Sequence, residues 1–131
     1  MSEQVVIILK LLLATVLGGV IGYERERSHK EAGFRTHMLI CLGSALFTVV
    51  SVVGFGGDIR IAAGVVTGIG FLGAGTILST KEGTVHGLTT AASIWATAAI
   101  GLATAMGLYL VAVFTTFLVL AVLLLHARII K

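Results

Sequence analysis

The chain has 131 residues; 57% are hydrophobic and only 11% are Asp, Glu, Lys or Arg, with no proline and a net charge of +3. A soluble domain carries roughly 25% charged residues, so the composition excludes an ordinary water-soluble fold and makes lipid the solvent. The basic residues sit at the ends of apolar runs, without aromatic interleaving or a long basic stripe, which excludes a nucleic-acid partner.

Apolar runs close to 20 residues, about one hydrocarbon crossing, recur between short polar interruptions. The first covers 4–23. It lacks a basic n-region and a convincing cleavage site, so it reads as a retained span and not as a signal peptide. It contributes Thr15, Gly18 and Gly22 to a polar side. Lys10 lies about two turns inside it, with Glu3 seven residues earlier on the same face. A charge at that depth is a functional candidate by default, but a lysine stem is long enough to snorkel to the outer interface, which is the expectation here.

The polar segment ERERSHKEAGFR (24–35) follows. Glu24 ends the first span and Arg35 opens the second, so the loop can bring them together as a pair. The plainer reading is a solvated cluster of alternating sign, in which surface pairs contribute little.

The second span, 36–56, places His37, Cys41, Ser44, Thr48 and Ser51 at spacings of 4, 3, 4 and 3, all on one side of a helix. His37 is the only histidine on this stripe, and at a membrane entrance it can titrate. Cys41 is the single cysteine, so no intrachain disulfide forms. Asp58 precedes the third span by two residues. It suits a helix-start charge, or, with Glu3, a mostly hydrated outer Mg²⁺ site.

The third span, 60–79, contains Gly68-Ile69-Gly70-Phe71-Leu72-Gly73, a G-x-G-x-x-G string. A dinucleotide fingerprint needs a preceding strand and an acid about 20 residues on; neither is present. Read as a helix, Ile61, Val65, Ile69, Leu72 and Thr76 form a bulky stripe. Gly64, Gly68 and Gly75 form a small one, and Ala63, Thr67, Gly70 and Ala74 another. The expectation is a central helix with its bulky stripe on lipid and its small faces packed by neighbours. The second reading is a broken, ion-coordinating helix.

The fourth span, 87–106, has Thr90, Ser93, Thr97 and Thr104 roughly opposite Leu88, Trp95 and Leu102. Two hydroxyl stripes fit either a polar path or interhelical hydrogen bonding, with hydroxyls also held by their own helix carbonyls. The fifth span is 108–127, reached by a very tight turn at Met106-Gly107. The fold class is therefore all-α, a single polytopic domain with five transmembrane helices, or four if that turn is not one.

Arg25, Arg27, Lys30 and Arg35 in the first loop, Lys81 in the third, and Arg128 and Lys131 after the last span share one side. Arg60 and Lys10 belong to the other. The positive-inside rule then puts the N-terminus outside and the C-terminus in the cytoplasm. His29, His86 and His126 have no metal-ligand spacing, and no nucleophile, zinc or Walker motif occurs. The chain is expected to be non-enzymatic and to need no cofactor beyond a weakly held Mg²⁺.

Three blocks, GGVIGYERERSHKEAGFRTHMLICLGSALF, DIRIAAGVVTGIGFLGAGTIL and VHGLTTAASIWATAAIGLATAMGLY, closely resemble the hydrophobic domain of the MgtC/SapB family of bacterial inner-membrane proteins. The resemblance covers nearly the whole chain in order. It implies five spans with the positive loop inside, a link to growth in low magnesium and, in some pathogens, to survival in macrophages. It also implies action as a regulator of membrane energetics on the ATP synthase, in preference to magnesium transport. Many relatives continue into a cytoplasmic ACT-like domain, which the sequence to Lys131 is not expected to carry. Family members often have Gln at the position of Gly64, Arg or Lys at that of His86, and in some cases Asn at that of Thr89, so contacts made by those side chains are not carried over. The expectation is a homo-oligomer that docks a membrane partner through small-residue faces of spans three and four. The competing expectation is an ion permease lined by the hydroxyl stripes.

Overall fold

The computed structural model describes residues 2–79 and 83–128. Lys81 and Lys131, two of the charges used for topology, lie outside the described residues, as do the side chains of His126 and Arg128. Five helices appear in order: α1 (Glu3–Arg27), α2 (Phe34–Val49, continued by a π turn over Val50–Gly54), α3 (Arg60–Ala74), α4 (Leu88–Ala105) and α5 (Tyr109–Arg128). A two-stranded antiparallel ribbon, β1 (Leu78–Ser79) with β2 (Val85–His86), joins α3 to α4. Among the described residues, three helices are long and apolar enough to cross a bilayer: α1, α2 with its π turn, and α4.

Local chemistry sets the helix ends. Ser2 caps α1 by accepting the Val5 N–H, and Glu3 and Arg25/Arg27 lie at the ends where the helix dipole favours their charges. The tight turn after α4 is a Schellman motif. Gly107 adopts φ 83, its N–H donates to the Thr104 carbonyl, and the Leu108 N–H donates to the Ala103 carbonyl. This separates α4 from α5 and favours five helices over four.

Three sequence expectations about the third span are corrected. The helix stops at Ala74, not 79, with Gly75 as its C-cap, and the apolar run continues through Ile77 and Leu78 into extended chain. At 1.5 Å per residue its 15 residues reach roughly 22 Å, short of a hydrocarbon core of about 30 Å. Nor is α3 central: α4 holds that place, packing against α1, α2, α3 and α5. The faces of α3 are also exchanged over much of its length, although Leu72 of the bulky stripe stays exposed. Ile69 is buried and Val65 packs beside it against Ile40, Ile94 and Ala98, whereas Ala63, Gly64, Thr67, Gly68, Gly70 and Ala74 are exposed. A Cβ placed on Gly64, Gly68 or Gly70 meets nothing within 4 Å. Gly73 approaches only Ala91, at 3.6 Å, and Gly75 only its own helix.

Close backbone approach occurs elsewhere. A Cβ on Gly18 would fall 2.5 Å from the His37 carbonyl oxygen, and one on Gly22 2.8 Å from that of Gly33, so α1 lies directly on α2. Gly101 performs the same service between α4 and the Cys41 carbonyl of α2. The three spanning-length helices thus form one tight unit, with α3 and α5 leaning on it.

Candidate functional site

The basic end of this unit opens into a cavity of about 410 Å³. The end of α1 supplies Glu24 and Arg25, the α1–α2 loop Lys30 and Glu31, and the ribbon and first turn of α4 His86, Thr89 and Thr90. The loop is aimed by a second Schellman motif: His29 takes φ 53, donating to the Glu26 carbonyl, and Lys30 donates to that of Arg25. Glu31 then reaches α4, where its carboxylate accepts the Thr90 hydroxyl at 2.7 Å. That bond holds the Glu31 carboxyl below its ordinary range.

Glu24 does not pair with Arg35, correcting that expectation. Arg25 is buried and turns back on its neighbour, with Nε 2.7 Å and Nη2 3.2 Å from the two Glu24 carboxylate oxygens. Ser28 donates to the same carboxylate at 3.0 Å. Arg35 is exposed, and Arg27 lies 5.9 Å from the Tyr23 ring centroid, a cation–π contact. A buried guanidinium must find a carboxylate, and the one beside it in sequence is nearest.

Below the cavity lies the polar core. His37, Cys41, Ser44, Thr48, Ser51, Thr90, Ser93, Thr97 and Thr104 are all buried, so both stripes face inward. Their hydroxyls are taken. Thr48, Thr97 and Thr104 donate to carbonyls four residues back, and Ser93 to that of Thr90. Ser44 crosses to the Ala98 carbonyl at 2.6 Å, Ser51 donates to the Asp58 carbonyl, and His37 Nε2 meets Ser93 Oγ at 2.9 Å. Hydrogen bonding within and between helices is therefore the arrangement found.

The Lys10 stem runs to the end of α4. Its Nζ donates to the Ala105 carbonyl at 3.0 Å, meeting the negative end of the α4 dipole. At the same end of the bundle, Asp58 accepts the Arg60 N–H at 2.9 Å and lies 3.4 Å from its Nε, with Arg60 almost fully exposed. Asp58 is thus occupied as a helix-start charge. Among the described residues no three His, Cys, Asp or Glu side chains gather as metal ligands. The sequence alone does not single out Glu31. Its signal was the hydroxyl stripe of the fourth span, which ends at Thr90 facing that loop.

A third feature lies on an exposed apolar side of the bundle. α2 and α3 diverge to leave an apolar groove of about 520 Å³, with Gly43, Gly64 and Gly68 along it and Leu39, Phe47 and Leu72 among its walls.

The MgtC family model matches residues 11–131. The chain belongs to the MgtC family. It is similar to an Escherichia coli (strain K12) protein named "Putative magnesium transporter YhiD", at 48% identity over 88% of this chain and 58% of that one. It is similar to "Protein MgtC" of Brucella abortus (strain 2308), at 47% identity over 83% and 46%. A Synechocystis protein of uncharacterised function is 46% identical over 86% and 49%. The chain spans about half the length of the curated relatives it matches. No solved structure matches. An MgtC-family chain with three helices of spanning length is a membrane protein.

Proposed function

We propose that this MgtC-family chain serves adaptation to low magnesium and membrane-energy homeostasis in the inner membrane, by docking a helix of a membrane partner. The observation that carries this reading is the groove between α2 and α3, whose glycines have no neighbours within the chain. In lipid, helices associate through such close-approach surfaces. The resemblance to the family names the ATP synthase as the partner, and a second copy of the chain is the homo-oligomer expected from sequence.

Ion conduction is the second reading, favoured by the two buried hydroxyl stripes and by the name of the E. coli relative. Against it, no Asp or Glu lies between Glu3 and Glu24 or inside any of the helices α2, α3, α4 and α5, and His37 stands as the one histidine on either stripe, whereas intramembrane proton and ion routes are usually marked by chains of such groups. Each stripe hydroxyl is already donated to a protein acceptor. Purified protein in liposomes is expected to pass no Mg²⁺ or protons above empty vesicles. The Gly64→Leu/Gly68→Leu double variant is expected to stay folded yet lose low-magnesium growth. Flux above background, or full growth of that variant, would sink the docking reading.

Orientation is proposed as N-terminus outside and C-terminus cytoplasmic. A reporter fused after Lys131 should behave as cytoplasmic, and a tag before Met1 should be reachable from outside; the reverse pattern would overturn the charge argument.

A further inference from the structure

His37 is the fully buried imidazole among the described residues, and both its nitrogens are engaged. Nδ1 lies 2.9 Å from the Gly33 carbonyl. A carbonyl only accepts, so Nδ1 carries a proton. Nε2 lies 2.9 Å from Ser93 Oγ, and that oxygen lies 2.7 Å from the Thr90 carbonyl. The Ser93 hydroxyl has one proton to give. If it goes to the Thr90 carbonyl, Nε2 must hold its own proton and the ring is an imidazolium. If it goes to Nε2, the ring is neutral and Thr90 loses that bond. One hydroxyl rotation therefore separates two fully bonded charge states of the ring.

We propose that His37 is an internal proton-binding site, in which uptake of one proton at Nε2 turns the Ser93 hydroxyl towards Thr90. The charge balance is simple: neutral imidazole plus a proton from solvent gives imidazolium, and no other bond is made or broken covalently. The groups around it are few. From α1, Glu24 and Arg25 act on the ring with opposite signs. From α4 come Ser93 and Thr90, and through the Thr90 hydroxyl the loop carboxylate of Glu31. On α2 itself, Cys41 is one turn away, free and buried. α3 brings only Arg60, beyond the opposite end of α2.

The site has a mechanical consequence. Hydrogen bonds from an ionised donor are roughly twice as strong as neutral ones. Protonation thus tightens Nδ1–H to Gly33, where the loop enters α2, and Nε2–H to Ser93 on α4. Acid clamps α2, α4 and the loop together at the cavity, and alkali relaxes them.

The test uses the full chain in nanodiscs with ¹⁵N-labelled histidine, the His37 ring assigned by through-bond correlation. Between about pH 4 and about pH 9, a range that brackets ordinary histidine titration, His37 should titrate reversibly, and its neutral form should be the Nδ1–H tautomer. Amide exchange at 33–37 and 90–93, corrected for intrinsic rate, should be about tenfold slower on the acid side of that midpoint, the effect of one charged hydrogen bond. In Ser93→Ala the ring should still titrate while the step at 90–93 disappears. A neutral Nε2–H tautomer, absence of titration, or an unchanged step in Ser93→Ala would each overturn the proposal.

Discussion

Gly18→Leu and Gly101→Leu should each prevent the chain from reaching a stable fold, at a cost of at least about 3 kcal/mol, the upper end of what overpacking exacts. The reason is what a side chain would strike. At Gly18 the first new carbon meets the His37 carbonyl oxygen at 2.5 Å and the Cys41 Cβ at 2.7 Å; at Gly101 it meets the Cys41 carbonyl. These are backbone and Cβ atoms at the α1–α2 and α2–α4 contacts, and neither can swing aside as a flexible side-chain tip can. The whole helix would have to move, breaking the Ser44 bond to Ala98 as well. Gly64→Leu and Gly68→Leu provide the comparison, because both face open space. They should change stability by no more than about 0.5 kcal/mol. Thermal unfolding of the four variants in nanodiscs checks this, and equal melting of all four would mean that the helix contacts are not where we place them.

That contrast shows what a sequence pattern in lipid can and cannot tell. Helical spacing made the small face of α3 visible, but not what meets it. In water a bulky apolar stripe must turn inward; in a membrane both lipid and protein interior are apolar, so hydropathy does not choose. Spacing accordingly assigns Ile61, Val65 and Ile69 to lipid, yet Ile69 is in the core. Polar faces are different, because hydrocarbon offers a hydroxyl no partner. The stripes from His37 to Ser51 and from Thr90 to Thr104 could only face protein, and they do. The long-range partners stayed hidden. Lys10 meets Ala105 across 95 residues, and Thr90 meets Glu31 across 59, and no local periodicity encodes either. The end of α3 was overrun for a similar reason, since an apolar run signals membrane depth and not helix.

The pairing of Arg25 with Glu24 gives the second large effect. Their side chains are only 3% and 13% exposed, and two guanidinium nitrogens reach the two carboxylate oxygens. Removing one member of such a pair strands the other charge, which typically costs about 3–5 kcal/mol. Glu24→Gln should be the more severe variant. It leaves a buried guanidinium whose Nη1 already lacks a partner, so no spare acceptor stands by. Arg25→Met should cost less, because the carboxylate left behind keeps the Ser28 hydroxyl and feels Lys30. Arg25→Lys should not rescue, since one ammonium cannot reproduce a two-nitrogen fork. Replacing both charges by neutral side chains, Glu24→Gln with Arg25→Met, should be no worse than Glu24→Gln alone, because no charge is then stranded. Arg35→Ala, at an exposed position, should shift stability by less than about 0.5 kcal/mol. Melting temperatures of these variants in nanodiscs complete a double-mutant cycle. Additive losses would show that the two charges act independently, and a large loss for Arg35→Ala would return Arg35 to the position of partner.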